Sequence, residues 1–420
     1  MKQLSIYLLT YLLLCSSFSV FADTNSITQA DQLWQHNRTQ GMTEKAIAIL
    51  ETVIEKEPDN FEALWKLSQY YQFLGTVSKP KERVVIYEKG LDYAERAKKI
   101  NEKDVNGYLW HAILVGSISQ ENSNSKSLKP VNQMYDDLQI ALKIDPKNST
   151  AHLVLAQLLN AVPGKPVSFG DKKKALEEAG FAVQYGPEDG GAWIYYGWLL
   201  LENKDYAAAK NAYAKFLDLT GDYNQYNYLI EHEDKINEDY ESCWRLGYFY
   251  EFLGQNCPDK KMRLNFFELG RKFTERAIKL NPNGVDGHLY QAILMGDIGL
   301  EKGILKSLAM VKPMSEELQT VIGLDPKNAT AHYVLGQLYW KVPGKPLSIG
   351  DKKKAQEETA LAVKYNPQSE EFWFDYGKIA LDNKDFNTAR IAFKRVVGIF
   401  GDYGYYKIEA QRELDKLPKE

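Results

Sequence analysis

Two stretches that combine glycines, prolines and a lysine run have the residue types to hold an anion. PGKPVSFGDKKKA starts at Pro163 and PGKPLSIGDKKKA at Pro343, 180 residues later, with eleven of thirteen positions identical. A phosphate-binding loop of the form G-x-x-x-x-G-K-[ST] sets its lysine and hydroxyl side by side at a helix start. Here five residues separate Gly164 from Gly170, and Asp171 follows where an anion would be repelled. Ser168 or Asp171 is better suited to capping a helix, by accepting from its first free amides. The spacing predicts a structural corner made twice. An anion or partner site helped by Lys165 and Lys172–Lys174 is the rival.

Other chemistry is sparse. The histidines are His36, His111, His152, His232, His288 and His332, and no pair has the helical spacing of a metal site. His152 and His332 sit at equivalent starts of a helix, which predicts packing or hydrogen bonding. No G-x-S-x-G or H-E-x-x-H occurs, and Glu177-Glu178 and Glu316-Glu317 read as solvated helix faces. No enzyme activity, catalytic residue, metal or cofactor is therefore expected. Cys243 and Cys257 could join in a disulfide only if three residues returned most of the ~16 Å that the intervening helix climbs. Asn148 and Asn328 head N-x-[ST] triplets in turns, where Asn is an ordinary cap, and Asn37 heads a third. A net charge of −4, spread along 420 residues, gives no reason to expect nucleic acid.

Positively charged Lys2, the apolar run Leu4–Leu14 and the exit Val20-Phe21-Ala22 have the order of a secretory signal peptide. They predict cleavage near Ala22 and a periplasmic or secreted protein. No later stretch approaches the ~20 apolar residues of a membrane span, so no integral membrane segment is expected in the mature chain.

The elements that carry these residues repeat. AWIYYGWLLLENKDYAAAKNAYAKFLDL begins at Ala192 and FWFDYGKIALDNKDFNTARIAFKRVVGI at Phe372. Trp193, Tyr196, Gly197, Ala209, Tyr213 and Phe216 in one copy align with Trp373, Tyr376, Gly377, Ala389, Phe393 and Val396 in the other. This pattern resembles the tetratricopeptide repeat, a 34-residue helix–turn–helix unit. Closing prolines at 58, 146, 187, 282, 326 and 367 mark further units. So do small residues at the first-helix packing position: Ser68, Ala112, Ala156, Gly247, Ala292 and Gly336. The resemblance implies an all-α, right-handed α-solenoid of about nine helical hairpins, in a lone first unit and two sets of four. Residues 61–222 parallel 240–403, which predicts a first stack over 23–238 and a second over 239–420, each ended by a closing helix. Three units in each half carry extra residues between their helices, and SQENSNSKSLKPVNQ reads as a loop.

In such repeats the first helices line the concave side. Counting solvent-facing positions from the packing residue selects Trp65, Trp110, Gln157, Tyr195 and Trp198 in the first half. It selects Trp244, Tyr248, Tyr290, Tyr333, Gln337 and Trp340 in the second. The expected function is a non-catalytic scaffold that binds a protein or peptide through this aromatic groove. The interrupted units also resemble the T component of periplasmic TRAP-type transporters, and the animal regulator-of-microtubule-dynamics proteins share the style. The transporter resemblance implies an alternative, an accessory protein whose groove holds a small apolar ligand.

Overall fold

The computed structural model describes residues 26–35, 40–122, 128–221, 226–233, 239–399 and 404–418. The leader expected over residues 1–22, together with His36 and Asn37, lies outside them. By its contacts the chain forms two compact units that divide after Tyr185. In the first unit α1 (26–35) pairs with α2 (Gln40–Lys56), α3 (Phe61–Val77) with α4 (Pro80–Ile100), α5 (Val105–Glu121) with α6 (Lys129–Ile144), and α7 (Ser149–Ala161) with α8 (Lys172–Tyr185). In the second, α9 (Gly190–Glu202) pairs with α10 (Tyr206–Thr220), and the six-residue α11 (Tyr226–Glu231) follows. Then come α12 (Tyr240–Asn256) with α13 (Lys260–Leu280), α14 (Val285–Lys302) with α15 (Ile304–Leu324), α16 (Ala329–Lys341) with α17 (Lys352–Tyr365), and α18 (Glu370–Asp382) with α19 (Phe386–Gly398). Helix α20 (Tyr405–Lys416) ends the chain's described part. The fold is an all-α solenoid, with nine hairpins among the described residues.

The punctuation between hairpins is chemical. Proline lacks the N–H that would extend the preceding helix, and the residue two positions later caps the next one. Asn148 accepts from the Ala151 amide at 3.0 Å, and Asn328 from that of Ala331 at 2.9 Å. Asn148 and Asn328, in two of the glycosylation-like triplets, are thus caps. Within hairpins the helices approach where the first gives up its side chain. A Cβ on Gly197 would stand 2.9 Å from the Tyr213 ring, and one on Gly377 2.6 Å from that of Phe393. Both rings are fully buried.

The extra residues expected as loops mostly lengthen helices. Helices α3 and α4 run 17 and 21 residues, against 13 and 15 for α9 and α10, and only Ser78 and Lys79 join them. In the serine-rich insert 119–121 belongs to α5 and 129–133 to α6, while 123–127 lies outside the described residues. Good helix formers in register with a long partner extend the pair instead of looping out.

The PGKP stretches are the corners of the α7–α8 and α16–α17 hairpins. Asp171 caps α8, accepting from the Lys173 and Lys174 amides at 3.0 Å each, and Asp351 caps α17 likewise. Gly170 donates its amide to the Pro163 carbonyl at 3.0 Å, and the Lys165–Pro166 and Lys345–Pro346 peptides are cis. The need for glycine comes from contact. Among the described glycines only Gly303 has a positive φ, whereas a Cβ on Gly170 would lie 1.9 Å from the Val162 carbonyl oxygen.

The division after Tyr185 differs in place from the 238/239 boundary suggested by duplication. Tyr213 packs on Phe252 at 5.7 Å, and Tyr226 stacks on Phe249 at 6.1 Å, so α10 and α11 lean on α12. We propose that residues 239–420 nonetheless form a stack of their own, because repeat stability is mainly nearest-neighbour. Fragment 239–420 is expected to melt cooperatively by circular dichroism, but at a lower temperature than fragment 186–420. A non-cooperative melt of the shorter fragment would remove the boundary. Gly170→Ala is expected to cost about 2 kcal/mol or more in urea unfolding of the full chain, since backbone must move. Replacing Lys165 and Lys172–Lys174 with alanine should change it by no more than about 0.5 kcal/mol.

Candidate partner-binding groove

Most groups with chemical potential are absorbed by the repeat itself. His152 Nδ1 faces Glu178 at 2.6 Å, and its Nε2 faces the Pro146 carbonyl at 3.1 Å. His332 repeats this with Glu358 at 2.7 Å and Pro326 at 3.1 Å, and His288 with Glu317 and Pro282. His111 bonds Asp137, which also takes Lys98. In the hairpins without such a histidine, Trp193 and Trp373 donate to the carbonyls of Pro187 and Pro367 at 2.9 and 3.1 Å. Each brace ties a first helix to the turn before it. Burial alone would lower the His152 pKa, but the bond to Glu178, the Pro146 carbonyl and nearby carboxylates raise it above the usual value. The two acidic pairs are split by these braces. Glu178 and Glu317 hold histidines, while Glu177 and Glu316 are exposed.

Cys243 and Cys257 are buried and not joined in a disulfide. Among the described residues no group of three or more His, Cys, Asp or Glu is placed to hold a metal ion.

The expected groove residues fall into different situations. In the first unit, Trp65 and Trp110 are half-buried against separate apolar clusters, and Gln157 is exposed. In the second, Tyr195 and Trp198 form a tilted pair with centroids 5.8 Å apart. Trp244 lies flat on Tyr290 at 5.8 Å, and Tyr248 packs on the same ring at 5.2 Å. Trp244 is only 7 % exposed, so it mainly builds the wall. Trp340 Nε1 donates to Asp382 at 2.7 Å. Tyr333 stacks on Phe372 at 4.2 Å, and its hydroxyl donates to Asp375 at 2.7 Å and Glu371 at 3.1 Å. Burial, with those two carboxylates, drives the phenol's pKa far upward.

Beside Tyr333 opens a cavity of about 690 Å³. Glu251 and Gln255 enter it from α12, Ile293–Leu300 from α14, Met310 and Met314 from α15, and Tyr333, Gln337 and Lys341 from α16. Gln337 is 9 % exposed, and neither its Nε2 nor its Oε1 finds a partner among the described residues. Asp297 accepts from Gln255 Nε2 at 3.0 Å through Oδ1, while its buried Oδ2 has no partner. Burial pushes the Glu251 carboxyl up to about 7, against the bond from Gln255. Burial, then the charge of Glu251, pushes Asp297 up to about 7 as well. Glu301 adds to this, although it is paired with Arg263 at 3.0 Å.

Sequence counting found Tyr333 and Gln337 but missed the two acids. Four residues beyond the packing Gly247 lies Glu251, the same offset that selected Trp340 from Gly336. Extending the count to every hairpin would have named it.

The raised carboxyls carry a sign. A folded-state pKa above the unfolded value means the native state binds the proton more tightly, so stability falls as pH rises from about 4.5 toward 7. Glu251→Gln removes that penalty. It is expected to raise stability at pH 8 by up to about 3 kcal/mol, judged from the size of the shift. The gain should shrink toward zero as pH is lowered to about 4.5, read as the difference between the two proteins in urea unfolding. A gain independent of pH would mean that Glu251 is not held in this state.

Comparison with known proteins bears on identity. Mouse (Mus musculus) regulator of microtubule dynamics protein 1 is 28 % identical over 132 residues, covering 30 % of this chain and 41 % of that protein. Human (Homo sapiens) regulator of microtubule dynamics protein 2 is 28 % identical over 140 residues, covering 32 % and 33 %. The chain thus spans well under half the length of these relatives. Yeast Tom70 aligns in structure over 95 % of this chain and 92 % of its own, at 11 % identity and a TM-score of 0.38. The relatives come from animals and are named for microtubules, which lie inside eukaryotic cells. The expected periplasmic or secreted location is withdrawn on that finding, and with it the accessory role in a periplasmic transporter. A tetratricopeptide repeat model matches residues 167–224 and 347–403. A model described as regulator of microtubule dynamics protein 1-3 matches residues 26–159 and again 203–346, more than half of the sequence, and the chain belongs to that family.

Proposed function

We propose that this tetratricopeptide-type scaffold holds an extended segment of a partner protein in the groove of its second unit. The cavity beside Tyr333 carries the reading. Residues of four successive first helices converge there with the side-chain amide of Gln337, nine-tenths buried and without a partner among the described residues. An unmatched buried amide is costly when nothing binds it, and an extended main chain offers the donor and acceptor it lacks. The rings of Tyr333 and Phe372 in the cavity's lining supply rigid contact area of the kind that dominates binding hot spots. Among the described residues no helix is long and apolar enough to cross a membrane. The relatives' names make proteins that act on microtubules the first partners to try.

Selection from a displayed library of random peptides on the full chain tests the proposal. Leu300 lines the cavity and is 76 % exposed, so it can be changed without disturbing a core. Leu300→Glu and Trp340→Ala are each expected to weaken selected peptides by about 10-fold or more in fluorescence polarisation, with helicity unchanged. Peptides indifferent to both would place the working surface elsewhere.

A further inference from the structure

The internal duplication diverges at this cavity. Aligning Trp65 with Trp244 sets Gln72 opposite Glu251, and aligning Gly107 with Gly287 sets Ser117 opposite Asp297. Two neutral positions of one half are thus acidic in the other, while Gln157 and Gln337 are the same residue. Gln157 is exposed, however, and Gln337 is buried. Both carboxylates line one cavity and are linked through Gln255, which donates to Asp297 and also bonds Glu251.

Among the described residues no cation pairs with them. Lys341 lines the cavity, but its charge acts on Asp375 and its ammonium lies 5.9 Å from the Trp340 ring. Arg263 and Lys260 are drawn to Glu301. Among the described residues neither Glu251 nor Asp297 makes an ion pair, and Asp297 is held by the Gln255 amide at 3.0 Å. Two buried like charges without a counter-ion disfavour the isolated state. They are complementary to a cation that arrives with its own apolar stem, and Met295, Met310 and Met314 provide the adaptable apolar lining for one.

Resting on the groove reading above, we propose that this cavity receives a lysine or arginine side chain from the extended partner segment. Glu251 and Asp297 hold the charged head, the methionines cover its methylene stem, and Gln337 pairs with the segment's main chain. A stem of methylenes with a charged tip is what such a slot of acid and thioether accommodates. A carboxylate pair supplies more acceptor positions than one head group requires.

The selected peptides decide the matter. A lysine or arginine is expected to recur at one position, and its replacement by norleucine should weaken binding about 10-fold or more. In the Glu251→Gln/Asp297→Asn protein the basic and norleucine peptides should bind alike, at the norleucine level. That variant removes the charges whose burial costs stability, so it should melt no lower than the parent at pH 8, and loss of binding cannot be ascribed to unfolding. Gln337→Leu should weaken both kinds of peptide together. Norleucine peptides that bind as tightly as basic ones overturn this inference while leaving the groove reading intact, provided Leu300→Glu still weakens them. A double variant that loses norleucine peptides as well would show that the carboxylates only shape the wall, and also overturns it. A selection that enriches nothing overturns both readings.

Discussion

Everything in this chain depends on how closely the two helices of a hairpin can approach. Where the first helix carries glycine, alanine or serine, the second can seat a large side chain directly against its backbone, as Tyr213 does at Gly197 and Phe393 at Gly377. Close approach fixes which face of the first helix is consumed inside the hairpin. The opposite face is then left to meet neighbouring hairpins and whatever enters between them. A methyl group added at these points meets an aromatic ring at under 3 Å in an interior packed as densely as a crystal.

The second constraint is polar. Hairpin junctions leave unpaired backbone groups at a helix end, and at five of them this chain uses one recurrent device. A histidine or tryptophan six residues after the closing proline reaches back to that proline's carbonyl. In the histidine case the second ring nitrogen takes a carboxylate from the paired helix, so one side chain ties turn, first helix and second helix together. Most histidines and many acids that could suggest catalysis are employed in this way. Glu251, Asp297 and Gln337 stand out because they are polar, largely out of solvent, take no part in these braces and line one cavity.

Much of the fold was legible because each element has a local chemical cause. Prolines stop helices, Asn and Asp start them, and small residues at a fixed place in the first helix mark each hairpin. The corner at Gly170 was legible as well, although the closeness of that glycine to the Val162 carbonyl, eight residues back, shows only in the folded chain. Helix lengthening in place of loops was hidden for the same reason. The residues on either side of the serine-rich stretch continue α5 and α6, and long partner helices decide that. The braces left a trace, since Glu178 follows His152 by 26 residues and Glu358 follows His332 by 26, but that spacing means something only once the hairpin is known.

The groove shows how duplication can keep a fold while changing what it presents. Packing positions tolerate few residue types, so the halves agree at Ala112 and Ala292 and at both PGKP corners. Positions that face the cavity are under no such restriction. A change from Gln72 to Glu251, or from Ser117 to Asp297, alters neither a helix nor a cap, yet it converts a neutral lining into one with two buried carboxylates. The cost of burying them is borne by a stack whose stability is distributed over many nearest-neighbour contacts. A repeat scaffold can therefore carry a locally unfavourable charge pair that a single small core could not, and such a pair becomes favourable only when a partner of opposite charge displaces the solvent around it.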